Sequence, residues 1–201
     1  MRNDNMQNKF NPAIHHRKSI RLKDYDYSQK GAYYVTICVN NMVCLFGEVV
    51  SGTMVLNDAG NMVDAFMNTL HNKFHHIKID EYVIMPNHVH GIILINDVDG
   101  IKGEYTGSPL RNDENNNVGA DQRVCPHMNQ VKSEKISLPR IMQWFKTMTT
   151  NAYILGVKQS HWPSFDGRLW QRNYYEHVIR NDDELNKIRE YIIQNPDRWD
   201  E

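Results

Sequence analysis

The sequence lacks the features of several large protein classes. Of its 201 residues only three are cysteines, Cys38, Cys44 and Cys125, and they form no CxxC pair. An odd cysteine count without such spacing argues against a disulfide-stabilised scaffold and fits a reducing compartment. No apolar run approaches the roughly 18 residues of a membrane span, and the first residues contain no signal-peptide core. These absences predict a cytoplasmic protein that does not enter the membrane.

A strong net charge is also missing. The formal net charge is -1, which does not by itself indicate a nucleic-acid partner. Two segments are nevertheless basic: residues 1–30 hold seven Lys or Arg against three acidic residues, and residues 138–180 hold six against two. If the fold brings these segments together, they form one phosphate-binding face. The alternative is an ordinary solvated surface.

Short segments rich in β-branched and aromatic residues predict strands. They lie at 32–40, at 45–56 (a hairpin turning at Ser51-Gly52), and at 77–85 and 88–96, which meet at Pro86-Asn87. Residues 168–179 are predicted to be extended.

Three helices are predicted from apolar periodicity and from capping residues. The first is capped by Asn57 or Asp58 and runs to about Asn72, the second follows Ser137 and covers residues 138–155, and the third is capped by Asn181 or Asp182 and ends at Pro196. The order of elements indicates one α+β domain over residues 1–201, with helices packed on an antiparallel sheet.

Two segments fit neither pattern. Residues 1–30 are polar and basic, which predicts an N-terminal arm rather than a core element. Residues 97–137 are rich in Gly, Asn and Asp without periodicity, which predicts a mobile insertion. We expect a short Gly/Ser linker in place of this insertion to leave the chemistry intact.

His88 and His90 are separated by one residue within a predicted strand. Because side chains alternate along a strand, both imidazoles point to one face and Val89 points to the other. Two nitrogens on one rigid face can hold a single cation. Such pairs also occur as surface or packed histidines, and the spacing alone does not separate these possibilities.

Tyr191 and Asn195 lie four residues apart in the last helix and therefore share a face. Leu185, Ile188 and Ile192 form the stripe expected to bury against the sheet, which leaves Tyr191 near the edge of the core. The phenol can act as a nucleophile and the Asn195 oxygen as a third metal ligand; the alternative is a packing tyrosine. Combined with the histidine pair, these residues fit metal-assisted covalent phosphoryl transfer.

Four stretches of the chain carry a family resemblance. They are RKSIRLKDYDYSQKGAYYVTICVNN (17–41), YVIMPNHVHGIILI (82–95), LWQRNYYEHVIR (169–180) and YIIQNP (191–196). Together they resemble the HUH-type single-tyrosine transposases, and among these the REP-associated tyrosine transposases, which are related to insertion-sequence transposases. The combination of MPNHVH with the C-terminal motifs is specific, whereas either block alone would not be.

The resemblance implies a ferredoxin-like fold, with the metal site on a sheet strand and the nucleophile on the C-terminal helix. It implies Tyr191 as the nucleophile, His88, His90 and Asn195 as ligands of Mg²⁺ or Mn²⁺, and single-stranded or hairpin DNA (REP-like palindromes) as the substrate. The DNA would be cut and joined through a 5′-phosphotyrosine. A monomer and a homodimer both remain open, and in a bacterium the protein would join the nucleoid when bound to DNA.

Further candidates rest on weaker patterns. The predicted DNA-binding residues are Arg17, Lys18, Arg21, Lys23, Arg172 and Arg180, and possible support for the active site comes from His177 and Glu81. Tyr174 and Tyr175 are rival nucleophiles but fit packing or base stacking better. Two other functions stay open: a replication-initiator-like HUH nickase, which usually carries a three-histidine cluster, and a non-catalytic hairpin-binding protein derived from a transposase.

Overall fold

The computed structural model describes residues 21–96 and 136–199. Its elements are β1 (Gly31–Cys38), β2 (Gly47–Val50), β3 (Thr53–Leu56), α1 (Asp58–Lys73), β4 (Ile77–Met85), β5 (His88–Ile95), α2 (Leu138–Ser160), β6 (Tyr175–Ile179) and α3 (Asp182–Ile193). Within this part of the chain, no helix is long and apolar enough to cross a membrane.

Four strands form one antiparallel sheet in the order β4-β5-β1-β6. With α1 between β1 and β4 and α2 between β5 and β6, the chain follows a βαββαβ path. This order and path are those of the ferredoxin-like fold, so the predicted fold class is confirmed. The β2–β3 hairpin is a separate two-stranded unit inserted between β1 and α1.

The two faces of the sheet bury different helices. Val89, Ile93 and Ile95 of β5 join the large core, which also holds residues of α1 and α2. On the opposite face, Ile92 packs with Ile192 of α3 in a smaller core. Because side chains alternate along β5, the histidines lie on the α3 face.

Side-chain caps start two of the three helices. Asn57 accepts a hydrogen bond from the backbone N–H of Gly60 at 2.9 Å, and Asn181 does the same for Glu184 at 2.8 Å. Ser137 occupies the N-cap position of α2, but its side chain does not make the expected capping hydrogen bond. The N–H of Leu138 instead bonds to the carbonyl of Tyr27, and Pro139 has no N–H to satisfy.

The described end of the predicted arm belongs to the core. Tyr27 is 7% exposed, and Tyr25 packs against the same cluster. The prediction of an arm over residues 1–30 is therefore wrong for its last part, because two aromatic rings outweigh the polar composition. Arg17, Lys18 and most of the predicted insertion, residues 97–135, lie outside the described residues.

Two further boundaries differ from the prediction. Helix α2 continues five residues past Leu155, because Trp162 packs on Gly156 in its last turns. The packing is so close that a Cβ added to Gly156 would lie 2.2 Å from the indole. Residues 168–174 form no continuous strand; a single bridge joins Trp170 to Val39 before β6 begins at Tyr175.

Candidate active site

His88 and His90 face each other on the α3 side of the sheet. Their Nε2 atoms are 3.0 Å apart. Val89 between them is 1% exposed and points into the opposite core. The common face expected for the two imidazoles is therefore present, and it places two ring nitrogens within reach of one ion.

The Asn87 side chain fixes the tautomer of His88. Its Nδ2 donates to the carbonyl oxygen of Met42 at 3.1 Å, which turns Oδ1 toward Nδ1 of His88, 2.7 Å away. Because an amide oxygen only accepts, the partners assign the proton of His88 to Nδ1. Nε2 of His88 then presents its lone pair to the space between the two rings.

Two hydroxyl groups of β1 hold His90. Nδ1 of His90 lies 2.7 Å from the Tyr34 hydroxyl and 2.8 Å from Oγ1 of Thr36, which is the register partner of His90. If Nδ1 carries the proton and donates to these oxygens, Nε2 presents a lone pair toward His88; if one of the hydroxyls donates to Nδ1, the proton lies on Nε2 between the rings. The space between the two Nε2 atoms is thus suited to a shared proton or to a cation.

Both imidazoles are neutral near pH 7. Burial lowers the pKa of His90 to about 3, and the neighbouring His88 adds to the effect. Burial also lowers the pKa of His88, against a smaller opposing effect of a hydrogen bond with Asn195. Neutral imidazole is the form that binds metal ions.

Tyr191 projects from α3 over the histidine pair. Its ring centroid is 5.4 Å from that of His90 and 6.4 Å from that of Tyr34. Tyr191 is 40% exposed, so a substrate can approach its hydroxyl. Burial raises the pKa of Tyr34, and a hydrogen bond between the two tyrosines raises it further. Tyr34 therefore stays protonated, and its ring contacts the rings of both Tyr191 and His90.

The segment after α3 completes the site. Asn195 is 9% exposed, and its side chain reaches His88. Trp199 stacks on His88, with centroids 6.0 Å apart and an interplanar angle of 28°. The tip of the β2–β3 hairpin lies against this segment. Gly52 at the tip is so close to Asp197 that a Cβ added to the glycine would lie 2.4 Å from the carboxylate.

The donor set fits a divalent cation. Two ligands about 2.1 Å from a metal and at right angles, as in octahedral coordination, lie about 3.0 Å apart. The Nε2 atoms of His88 and His90 have this separation. Among residues 21–96 and 136–199, no group of three or more His, Cys, Asp or Glu side chains is placed to hold a metal. Asn195 and oxygens of a substrate would have to complete the coordination.

The two residues predicted to support the site, His177 and Glu81, both interact with α3. His177 on β6 bonds through Nε2 to Oε1 of Glu184 at 2.7 Å, and Oε2 of Glu184 accepts from the Arg180 backbone at 2.8 Å. His177 therefore docks the start of α3, the helix that carries Tyr191. Glu81 forms no metal-holding cluster with the histidine pair in the described residues, and its charge acts on Arg189 of α3.

The predicted basic residues divide into two groups. Arg21 and Arg172 line one groove beside α2, where the fold also brings Lys146 and Arg168. The second basic segment thus supplies Lys146, Arg168 and Arg172 to this surface, and the described part of the first segment supplies Arg21. Lys23 and Arg180 are exposed and do not line this groove.

Four residues of the site were not identified from the sequence: Tyr34, Thr36, Asn87 and Trp199. Asn87 stands next to His88 within MPNHVH, so its contact with the His88 ring could have been predicted from its neighbouring position in the sequence. Tyr34 and Thr36 come to His90 only through the β1–β5 register, which is a long-range pairing. No pattern in the sequence marks Trp199.

One protein is similar to this chain in sequence, and one solved structure is similar to it in fold. An uncharacterised protein of Haemophilus influenzae is 38% identical over 197 residues, which cover 98% of this chain and 97% of the relative. The chain belongs to the same protein family as this relative. No family model matches the sequence.

The structural comparison shows the class of fold. A REP-associated tyrosine transposase bound to a REP hairpin matches with a TM-score of 0.52 and 17% identity, over 90% of this chain and 74% of that chain. This chain therefore has a transposase-like fold. A candidate transposase from Deinococcus radiodurans matches with 14% identity and a TM-score of 0.41, over 88% of this chain and 96% of that chain, too low a score to show a common fold.

Proposed function

We propose that this protein is a metal-dependent DNA transposase that cuts and joins single-stranded DNA at or near hairpins through a 5′-phosphotyrosine. The observation that supports it most is the placement of a solvent-accessible tyrosine over two neutral imidazoles. Tyr191 lies 5.4 Å from His90 between ring centroids, and the two Nε2 atoms lie 3.0 Å from each other. A nucleophile beside a cation-binding pair is the arrangement that covalent phosphoryl transfer requires.

The chain's own residues account for the transfer step. The Tyr191 oxygen would attack the phosphorus of the scissile phosphodiester, forming a new P–O bond to the tyrosine. The bond from phosphorus to the 3′ oxygen of the upstream nucleotide breaks, and that oxygen leaves as a 3′ hydroxyl with the proton that the phenol loses. Tyr34, whose ring lies 6.4 Å from that of Tyr191 between centroids, would donate a hydrogen bond to the attacking oxygen and stabilise its developing negative charge. Joining is the reverse reaction with another 3′ hydroxyl.

His88, His90 and Asn195 would hold the metal, which we propose to be Mg²⁺ or Mn²⁺. Such an ion would stabilise negative charge on the phosphate oxygens. Imidazole ligands suit Zn²⁺ as well, but the Asn195 oxygen and the phosphate oxygens would make the shell rich in oxygen, which favours Mg²⁺ or Mn²⁺. Asn87, Tyr34 and Thr36 would orient the two rings toward the ion.

Hairpin DNA is proposed as the partner because of the fold and the basic surface. The solved structure that shares the fold is bound to a REP hairpin. The groove beside α2 brings together four basic side chains on a protein of nearly neutral net charge. Such a local surface can attract phosphates even where the whole chain does not. The active site is described within one chain, and both a monomer and a homodimer are compatible with the proposal.

A covalent-adduct assay tests this function. The protein is incubated with a library of 5′-labelled and 3′-labelled single-stranded hairpins and Mn²⁺, and adducts are resolved on a denaturing gel. We expect label on the protein only from strands labelled downstream of the cut, with Tyr191→Phe abolishing the adduct and keeping hairpin binding within a few-fold. Tyr175→Phe is the matched control, since Tyr175 is an exposed tyrosine on the same face. Specific hairpin binding without any adduct would instead indicate a non-catalytic hairpin-binding protein.

A further inference from the structure

A groove with a volume of about 990 Å³ lies beside β4, at the end of this strand that is remote from Met85 and its register partner His88. Its lining comes from the second half of α1, from the turn before β4, and from the first residues of β4, Ile77–Asp80. None of its lining residues belongs to the proposed active site.

The groove opens over the edge of β4. Side chains alternate between the faces of a sheet, so consecutive residues can line one groove only where it wraps around the edge of their strand. Ile77 and Ile79 pack in the core that contains α1, and Asp80 binds Arg189 of α3 on the other face. Strand β4 is an outer strand of the sheet, and in the described residues no strand pairs with its outer side.

Backbone hydrogen-bonding groups point toward this open edge. The N–H of Asn96 donates to the carbonyl oxygen of His76 at 2.8 Å, so residue 76 directs its backbone groups toward β5. In an antiparallel pair, successive residues direct these groups alternately toward and away from the partner strand. Ile77 and Ile79 therefore direct theirs outward. Because the N–H of Ile77 donates to the carbonyl of Phe74, the open edge presents the Ile77 carbonyl and both groups of Ile79.

A β-bulge limits how far another chain can pair along this edge. The β4–β5 register shifts between Ile79 and Tyr82, so the regular alternation of outward groups ends after Ile79. Helix α1 flanks the edge, since the Tyr82 hydroxyl donates to Asp64 at 2.7 Å. A short strand edge beside a helix suits a single extended peptide that adds to the sheet. A second copy of the chain would offer only the same short run in return.

The lining favours an acidic ligand. Asp80 is the acidic residue among the described lining residues, and it lies between two positive charges. The hydrogen bonds from Arg189 lower its pKa most, and the charge of the exposed Lys78 lowers it further. The three groups together leave an excess of positive charge. Hydrogen-bonding capacity is added by the imidazoles of His71, His75 and His76.

We propose that this groove binds an extended acidic segment of a partner protein, which pairs with β4 as an additional strand. Ile77 and Ile79 supply the backbone hydrogen bonds, and Lys78 and the imidazoles contact the carboxylates. DNA fits this edge less well, because it has no peptide groups to pair with a strand and because the groove beside α2 gathers more basic side chains. The proposal does not depend on the Tyr191 chemistry.

Fluorescence anisotropy with short labelled peptides tests the assignment. One peptide alternates Glu and Val, a second alternates Lys and Val, and a third repeats the first with N-methylated backbone amides, which cannot donate hydrogen bonds. Each is titrated with the full chain at pH 7. The variant Lys78→Glu reverses a charge in the groove. Its matched control, Lys158→Glu, reverses an exposed charge in the last turn of α2, outside the groove. Melting temperatures confirm that the variants are folded.

Wild-type protein should bind the acidic peptide at least about tenfold more tightly than the basic or the N-methylated peptide. Lys78→Glu should weaken binding of the acidic peptide about fivefold or more, and Lys158→Glu should stay within about twofold of wild type. No binding of the acidic peptide, or equal binding of all the peptides, would overturn the proposal. Equal affinity of Lys78→Glu and wild type would overturn it too.

Hydrogen exchange followed by NMR locates the contact. The acidic peptide should slow exchange of the Ile79 amide and leave that of Val178 on β6, the opposite edge strand, unchanged; the reverse pattern would contradict the assignment. Sedimentation without peptide tests for a second copy. A dimer that Lys78→Glu dissociates would assign the edge to a second copy and overturn the proposal, whereas a monomer leaves the edge free, as the proposal requires. None of these measurements uses adduct formation, so a failure of the function proposed above stays distinguishable.

Discussion

Asn87 and His88 are consecutive residues joined by a side-chain hydrogen bond, 2.7 Å from Oδ1 to Nδ1. Neighbouring side chains at the start of a strand usually point apart. Here the Pro86-Asn87 turn brings the amide back beside the ring, and the bond to the Met42 carbonyl holds it there. The orientation of His88 is thus fixed by the turn that precedes β5.

Replacing Asn87 by alanine should weaken metal binding. The substitution removes the acceptor for Nδ1 of His88 and frees the ring to rotate or to change tautomer. Loss of such an orienting partner typically lowers metal affinity about 10–100-fold. Mn²⁺ titration calorimetry measures the effect. Asn87→Asp keeps an acceptor and should retain more affinity than Asn87→Ala; equal affinity of wild type and Asn87→Ala would contradict the orienting role.

Substitution of either histidine should remove most of the activity. His88→Ala and His90→Ala each delete one of the few proposed metal ligands, so the ion would be lost or the phosphate misplaced. Adduct formation, melting temperature and Mn²⁺ binding are measured on the same preparations. If the histidines only pack, the variants will lose stability but keep metal-dependent cleavage per folded molecule. Turnover with Zn²⁺ alone, or at full rate after chelation, would show that the metal assignment is wrong.

Tyr34→Phe should slow adduct formation without weakening DNA binding. The substitution removes a hydroxyl that contacts Nδ1 of His90, on a ring that also packs against Tyr191. Thr36 remains as a partner of Nδ1, so the ring should keep its place. A roughly 10–100-fold lower single-turnover rate at saturating DNA is expected. Thr36→Val, which removes the other hydroxyl but not the contact with Tyr191, should lower the rate less; the reverse order would assign the main role to Thr36.

Local patterns predicted much of the fold and the placement of the main site residues. Alternation in β5 put His88 and His90 on one face, and helical spacing put Asn195, just after α3, on the same side as Tyr191. Both depend on residues a few positions apart, for which backbone geometry alone decides. The Asn57 and Asn181 caps were predicted for the same reason.

What the sequence did not predict depends on contacts between distant segments. Tyr34 and Thr36 reach His90 through a strand pairing across more than fifty residues. Tyr27 has a polar, charged neighbourhood in sequence, and only the fold shows that it is buried. The end of α2 was underestimated because Gly156 weakens an isolated helix, whereas Trp162 packs on that glycine here.

Gly52→Ala should destabilise the protein more than Gly167→Ala. Both glycines have positive φ, +74° and +66°, so alanine strains the backbone at each position by about 1–2 kcal/mol. At Gly167 an added Cβ meets no atom within 4 Å, whereas at Gly52 it meets the Asp197 carboxylate at 2.4 Å. Because that carboxylate is the end of an exposed side chain and can rotate away from the added Cβ, urea unfolding should show only a slightly larger loss for Gly52→Ala.

Helix α3 is held to the edge strand by an ion pair. Asp80 of β4 accepts two hydrogen bonds from Arg189, at 2.6 Å from Nε and 2.8 Å from Nη2. The bonds with Arg189 lower the pKa of Asp80, against a smaller opposing effect of burial. Arg189 lies two residues before Tyr191, so this pair also helps to position Tyr191, the proposed nucleophile.

Because of the Asp80 carboxylate, the free energy of unfolding should depend on pH in the acidic range. Its pKa is lower in the folded protein than the value of about 3.9 in an unfolded chain, so the unfolded state binds more protons between the two values. The stabilisation is fully present above about pH 4 and is lost as pH falls through the folded pKa. In urea unfolding from pH 7 to pH 2.5, Asp80→Asn should be less stable than wild type at pH 7, with the difference shrinking below pH 4. Glu190→Gln, an equal charge change on an exposed residue of α3, is the control. A difference between Asp80→Asn and wild type that stays constant over the whole range would mean that packing, and not the ion pair, holds α3 against β4.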